Sequence, residues 1–286
     1  MQLVTFEGRD GATLGVLSGE RIIAISDLVD DALADMIGLI NAGQDVLDRV
    51  KQRLQEQAPE GVPFASTKLH APIINPGKFV CLGLNYAEHA KEGGRDVPEF
   101  PTLFLRTQTS LLPPGGEIQR PPVSTKLDYE AELLIVIGKT AKSVSEADAL
   151  DYVFGYSAFN DGTIRDYQKR TSQWTAGKNF DATGPYGPVI VTADAMPAGA
   201  SGLTLRSKLN GEVMQDGNTA DMVFSVARII ANVSEIMTLH PGDMIATGTP
   251  SGVGFARSPQ VFMKAGDVIE IEVEGMPTLV NTVVDA

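Results

Sequence analysis

The sequence predicts an α+β protein in two parts, a small N-terminal α+β domain over residues 1–70 and a larger, mixed, strand-rich domain over residues 71–286. Three observations carry this expectation. The chain opens with three short strand-like runs, Leu3-Val4-Thr5-Phe6, Thr13-Leu14-Gly15-Val16-Leu17 and Arg21-Ile22-Ile23-Ala24-Ile25, parted by the turn signals Gly11 and Ser18-Gly19. From Ser26 to Gln57 the apolar period lengthens from two to three or four, through Leu28, Leu33, Met36, Leu39, Ile40, Val46, Val50 and Leu54. Beyond residue 70, strands follow one another with few helices between them, which disfavours a doubly wound parallel sheet.

The elements follow in order. The helical stretch should break near Gly43, and Ala58-Pro59-Glu60-Gly61-Val62-Pro63 reads as a linker. Lys78 to Leu84 is an apolar run ending in a loop. Glu92 to Pro101, with Gly93-Gly94 and two prolines, reads as a mobile loop, and Pro113-Pro114-Gly115-Gly116 as a turn. Tyr129 to Ile137 is a strand apolar on both faces in its second half, so it should enter a core. Ser143 and Glu146 have capping-box spacing for a short helix through Val153. Met222 to Met237 carries Val223, Ala227, Ile230 and Val233 at helical spacing, and Ile269 to Glu274 alternates as a half-exposed strand.

Composition narrows the function classes. The formal net charge of −13 would repel a phosphate backbone, so no nucleic-acid partner is expected. It leaves room for an anionic small molecule, since a metal and a few basic residues reverse a local field. One cysteine, Cys81 in Phe79-Val80-Cys81-Leu82, forbids an intrachain disulfide and reads as a buried small hydrophobe. The N-terminus lacks the basic and apolar regions of a signal peptide, and no uncharged apolar run is long enough for a membrane helix, so a cytoplasmic protein without a membrane partner is expected.

Two sets of residues carry chemistry. Glu130 and Glu132 lie two apart on a strand and so point to one face, which continues with the apolar Leu134 and Val136. Two carboxylates opening a buried face repel each other and lose hydration unless a cation lies between them. Oxygen ligands of this kind suit Mg²⁺ or Mn²⁺, with Ca²⁺ also admissible, rather than zinc. Asp161, at the end of the aromatic run Tyr156 to Asn160, is the candidate third ligand, with Asp128 and Asp166 as rivals. The bland alternative is an exposed strand end. Among three histidines, His70 and His240 read as structural, whereas His89 stands three residues before Glu92 on a helical turn, where the carboxylate can accept the imidazole N–H. A histidine oriented in this way is a general base, and the alternative is an incidental surface pair.

Taken together, the ordered landmarks Asn85-Tyr86 with His89 and Glu92, Asp128-Tyr129-Glu130-Ala131-Glu132-Leu133, Asn160-Asp161 with Arg165-Asp166 and Gln168, Gly177-Lys178 with Phe180-Asp181, and Pro241-Gly242-Asp243 leading to Thr247 to Gly254 resemble the fumarylacetoacetate hydrolase family from about Ile74 to the C-terminus. The resemblance implies a mixed β-roll catalytic domain, a homodimer, and Mg²⁺ or Mn²⁺ on Glu130, Glu132 and Asp161. It implies His89 and Glu92 as a water-activating dyad, Lys178 beside the metal, and Arg165, Gln168 and Thr249 in contact with a small oxo-acid.

Three departures bear on the substrate. Gly162-Thr163-Ile164 replaces the Val-Ser-Ala of many relatives, Arg106 stands where many carry lysine and is expected to fork onto a substrate carboxylate, and Gln173-Trp174 places the single tryptophan beside the pocket. The activity the resemblance implies first is C–C bond hydrolysis of a 2,4-dioxo acid of the acylpyruvate type to pyruvate and a carboxylic acid. Decarboxylation or tautomerisation of an oxaloacetate-like acid and dehydration of a sugar-derived 2-oxo acid are the alternatives on the same scaffold. A non-catalytic metal-binding module is the alternative from another class.

Overall fold

The computed structural model describes residues 1–57 and 59–286. Strands β1 (Gln2–Gly8), β2 (Gly11–Ser18) and β3 (Arg21–Ala24) form an antiparallel meander, followed by helices α1 (Met36–Ala42) and α2 (Gln44–Gln57) and by β4 (Val62–Pro63), which pairs with β3. The helical period that begins at Ser26 becomes α-helix only at Met36, where the Asp35 side chain accepts the Gly38 N–H at 2.8 Å. Gly43, at φ 84°, divides the two helices as its position predicts. Of the expected linker, Ala58 lies outside the described residues, while Val62 and Pro63 are strand.

The chain continues through β5 (Phe79–Gly83), α3 (Ala87–Glu92), β6 (Thr102–Leu105), β7 (Leu111–Leu112), β8 (Glu117–Arg120), β9 (Leu127–Asp128), β10 (Ala131–Ile137), β11 (Val153–Asn160), β12 (Thr163–Ile164), α4 (Arg165–Gln168), α5 (Thr175–Lys178) and β13 (Gly184–Thr192). It closes with β14 (Thr204–Leu209), β15 (Glu212–Asn218), α6 (Val226–Ile236), β16 (Met244–Ala246), β17 (Val268–Val273) and β18 (Leu279–Asp285). An 11-stranded sheet runs β4-β3-β2-β1-β13-β11-β10-β16-β5-β6, with β7 beside β13. A 5-stranded sheet runs β15-β14-β17-β18-β8, and β9 pairs with β12 in a short ribbon. Through the pairing of Gln2 and Leu3 with Val191 and Ile190, the strands of residues 1–70 extend the large sheet of the rest.

The pleat of β10 divides the core. Leu133, Ile135 and Ile137 face a cluster shared with Leu205, Ile230 and Ile271 from β14, α6 and β17. Leu134 and Val136, on the opposite face, pack with Leu39 and Val50 of the N-terminal helices and with Phe79, Cys81 and Phe159. Every residue of β10 is buried, because the two faces meet two different layers.

Two local expectations are corrected. The stretch after Ser143 holds only a 3-10 turn at Ala149–Tyr152: Ser143 sits at φ 50°, not in the extended geometry of an N-cap, and it is Ser145 whose hydroxyl accepts the Asp148 N–H at 3.3 Å. The helix expected from Met222 starts at Val226, capped by Ser225, whose hydroxyl accepts the Arg228 N–H at 3.2 Å.

One buried side chain joins the elements that present the site. Asn85, in the loop after β5, donates to Thr247 O at 2.8 Å and to Phe224 O at 3.1 Å, and accepts from Phe224 N at 2.7 Å. It thereby ties the start of α3 to the ends of β16 and of the segment before α6. Removing it strands three buried backbone partners. Asn85→Ala should lower unfolding free energy by about 2–4 kcal/mol in urea titration, at the sum of a few such bonds. A loss under about 0.5 kcal/mol would show that the loop is held by packing alone.

Candidate active site

The site lies where several chain segments converge: the ends of β10 and β11, α3, α4, α5 and the loop after β16. The Asp161 N–H donates to Glu130 O at 2.9 Å, and Asn160 Oδ1 accepts the Glu130 N–H at 3.0 Å, so the ends of the two strands are stitched beside the carboxylates. Glu130, Glu132 and Asp161 are buried, and one oxygen from each lies within 4.8 Å of the others.

Of the rivals, Asp128 is excluded as a ligand by its own bonding. Its Oδ1 accepts from Tyr129 N and Gly254 N at 2.9 and 2.8 Å, and its Oδ2 from Phe255 N and Arg165 Nε at 3.0 and 2.7 Å. Asp166 is exposed and accepts from the Ser124 hydroxyl at 2.6 Å.

The cations around the triad are equally committed. Lys178 Nζ, 2% exposed, lies 2.7 Å from Glu130 Oε2 and 2.6 Å from Asp161 Oδ2. Arg165 Nη2 lies 2.7 Å from Glu130 Oε1, and its Nη1 donates to Gln168 Oε1 at 3.0 Å. Arg106 departs from expectation. It points away from the cavity and braces Asp161 from behind: its Nη1 meets Asp161 Oδ1 and Gly162 O, its Nη2 donates to Thr183 Oγ1 at 2.7 Å, and its Nε to Ser110 Oγ at 3.2 Å. Its donors are taken by the protein, and it is not among the residues that line the cavity. Gly184 makes room for it, since a Cβ there would lie 2.8 Å from the guanidinium carbon.

Charge balance then decides what the triad can hold. Four buried carboxylates, Asp128, Glu130, Glu132 and Asp161, face three buried cations, Arg106, Arg165 and Lys178. Burial pushes Glu130 up, but the Lys178 ammonium and the Arg165 guanidinium outweigh it and hold the carboxyl well below its usual range. Glu132 has no such partner. Burial, then repulsion from Asp161 and Glu130, drives it well above the usual carboxylate range, against the more distant Lys178 charge and one bond from the Gly248 N–H at 2.9 Å. Lys178 is kept charged: desolvation lowers it, and Asp161 and Glu130 more than restore it. A divalent cation would supply the missing partner for Glu132, and the all-oxygen donor set fits a hard divalent ion such as Mg²⁺ or Mn²⁺. Such a cation turns a site one charge too negative into one that attracts an anion.

His89 and Glu92 line up on α3. His89 Nδ1 lies 2.8 Å from Glu92 Oε1, and Glu92 Oε2 accepts the Gly252 N–H at 2.8 Å. An ionised carboxylate only accepts, so Nδ1 carries the proton and Nε2 of the neutral ring is free to act as a base. Gly252 permits this contact through a positive φ of 104° and the lack of a Cβ, which would sit 2.4 Å from Met214 O.

A cavity of about 150 Å³ is lined by His89, Glu130, Glu132, Arg165, Gln168, Lys178 and Thr249. Asp161 reaches this cluster through Lys178 and the triad. Thr249 is present with its hydroxyl already used, donating to Ala131 O at 2.9 Å and accepting from Gln215 Nε2 at 2.8 Å. The wall also includes Arg95, Phe104, Lys169, Trp174 and Phe255, of which the sequence pointed only to Trp174. Gln215, whose Oε1 accepts the Ala131 N–H at 2.9 Å, is a further support that no spacing signalled. The Gly252 N–H donates to Glu92 and the Gly248 N–H to Glu132, which places these two glycines of the loop after β16 against the site. His70 and His240 lie elsewhere, His70 Nε2 at 3.1 Å from Glu7.

Replacing Glu132 by Gln removes the carboxylate that lacks a cation. In calorimetric melting, Mn²⁺ should raise the Tm of the wild-type protein and leave Glu132→Gln unmoved, with metal affinity lower by about 100-fold or more. The metal-free variant should melt no lower than metal-free wild type, because a buried carboxyl with little compensation is gone. An undiminished metal-induced shift in the variant would remove Glu132 from the ligand set.

Comparisons with known proteins agree with this geometry. Residues 78–284 match the model of the fumarylacetoacetate hydrolase C-terminal domain. The chain is 38% identical to the human oxaloacetate tautomerase FAHD2A, mitochondrial, over 99% of this chain and 92% of that protein. Fumarylacetoacetate hydrolase from Exiguobacterium antarcticum superposes with a TM-score of 0.86 at 35% identity, covering 100% of both chains. Maleylpyruvate hydrolase from Sphingobium sp. SYK-6, in complex with manganese(II) and pyruvate, superposes with a TM-score of 0.83 at 32% identity, again over 100% of both chains. In fold and in sequence along almost its whole length, the chain belongs to the fumarylacetoacetate hydrolase family.

Proposed function

We propose that this chain is a divalent-metal-dependent enzyme of small 2-oxo acids whose reaction is the keto–enol interconversion of an oxaloacetate-type substrate. The observation that carries the proposal is the cavity itself, which sets a carboxylate-oriented histidine opposite Glu130 and Glu132, with Asp161 completing the buried triad just behind its wall. The tautomerase relative, similar over almost the whole of both chains, supports this reaction ahead of the hydrolysis the sequence ranked first.

A metal held by Glu130, Glu132 and Asp161 would supply Lewis acidity that lowers the cost of negative charge on the substrate's 2-oxo oxygen. The protein's own groups do the rest. His89, its Nδ1–H donated to Glu92, presents Nε2 to take a proton from the carbon next to the 2-oxo group. The C–H electron pair becomes the C=C bond, the carbonyl π pair moves to oxygen, and the proton returns to that oxygen to give the enol. Lys178, kept cationic by Glu130 and Asp161, stabilises the charge that develops in between. Burial of the triad and Lys178 strengthens each of these interactions by excluding water.

Hydrolysis of an acylpyruvate is the second reading, favoured by the likeness to the maleylpyruvate hydrolase with manganese and pyruvate. There the same His89 would take its proton from water, and the hydroxide would attack the distal carbonyl.

The two readings part in one assay. Oxaloacetate enol and acetylpyruvate are followed side by side with Mn²⁺ and with EDTA. Tautomerisation predicts metal-dependent loss of the oxaloacetate enol absorbance without carbon loss, and a fall in kcat of about 10²–10⁴-fold for His89→Gln, the usual worth of a general base. Release of acetate and pyruvate from acetylpyruvate, with oxaloacetate unchanged, would replace this reading by the hydrolase. Turnover of neither would leave the non-catalytic module.

A further inference from the structure

The wall of the cavity contains two cations that the reaction just described does not use. Glu130 and Glu132 are the only carboxylates among its lining residues, and both are buried at its floor. Arg165 and Lys178, also buried, are spent on those carboxylates. Arg95 and Lys169 line the same cavity from its exposed rim. Neither forms a salt bridge among the described residues; instead the Arg95 guanidinium lies 5.8 Å from the Trp174 ring centre and the Lys169 Nζ 4.4 Å from that of Phe255.

This is unlike many cations on the rest of the surface. Arg49 pairs with Asp31, Lys51 with Asp194, Arg206 with Asp216 and Lys208 with Glu272. In a chain of net charge −13, acidic partners are abundant. An aromatic face attracts a cation and fixes its place, but it takes at most a weak N–H···π contact and leaves the other N–H donors of each group unpaired. The donors of both groups are therefore left for a ligand. Of the acidic groups near them in the chain, Glu92 is engaged by His89 and Gly252 and Asp166 by Ser124, and Asp96 pairs with neither cation.

We infer that Arg95 and Lys169 form the subsite for a second carboxylate, so that the enzyme selects dianionic 2-oxo acids over monoanionic ones of the same length. The inference rests on the proposed function and extends it to the far end of the substrate. The rim approaches from two separate segments, Arg95 just after α3 and Lys169 just after α4, with Phe255 between them: a Cβ on Gly93 would lie 3.8 Å from the Phe255 ring edge. Both cations sit where an anion passes on its way to the floor, so they act on capture as well as on grip.

The test compares oxaloacetate with 2-oxobutyrate, which has a methyl where oxaloacetate has its second carboxylate. Binding of each to the Mn²⁺-loaded protein is measured by calorimetry, with KM and kcat for oxaloacetate in parallel. Wild type should bind oxaloacetate about tenfold or more tightly than 2-oxobutyrate, as expected for one or two charge-assisted hydrogen bonds. In Arg95→Gln/Lys169→Gln that ratio should fall towards one, with the loss in KM rather than kcat. The charge-keeping Arg95→Lys/Lys169→Arg should restore much of it, which a merely structural role would not predict. A ratio near one in wild type, or an unchanged ratio in the Gln variant, overturns the subsite and leaves the proposed function standing. Failure of wild type to bind either acid overturns both.

Discussion

The charge deficit at Glu132 is the constraint on which the rest of the site depends. Buried carboxylates persist only when paired, and three of the four in this centre have a guanidinium or ammonium against them. Glu132 has a single peptide N–H, from Gly248. A protein that buries an ionisable group with so little compensation has either a neutral acid there or a cation to come. The position of Glu132 beside Glu130 and Asp161 makes the second the chemically useful answer. The same accounting explains why Lys178 and the two arginines are so deeply placed: without them the triad would repel itself apart before any metal arrived.

The backbone arrangement that permits this is a matter of close approach. The loop after β16 must bring a peptide N–H to Glu132 and another to Glu92, and it does so at Gly248 and Gly252, both at positive φ. At Gly248 a Cβ would also sit 2.8 Å from the Asn85 side chain, whose three hydrogen bonds clamp the start of α3. One loop therefore sets both the charged floor and the orientation of the histidine. The proposed base and the proposed metal site are thus coupled mechanically.

Much of this was legible in the sequence because it is written in local periods. Alternation put Glu130 and Glu132 on one face of a strand entering the core, and a spacing of three put Glu92 under His89. What local spacing does not carry is the direction of a long side chain and the partner of a strand. Spacing favours Asp161 as third ligand but leaves Asp128 a rival, which its four bonds remove, and Arg106, expected to face a substrate, gives its donors to Asp161, Thr183 and Ser110. The strands of residues 1–70 showed their own alternation but not that β1 pairs with β13. Arg95 and Lys169 are 74 positions apart and share one cavity wall with Trp174 and Phe255, which no sequence period relates.

The central claim, that the triad completes its charge with one divalent cation, is tested most directly by anomalous diffraction at the manganese edge on crystals grown with Mn²⁺. The account predicts a single strong peak in contact with oxygens of Glu130, Glu132 and Asp161 together. A peak that omits Glu132, or manganese bound only at surface carboxylates, would contradict it.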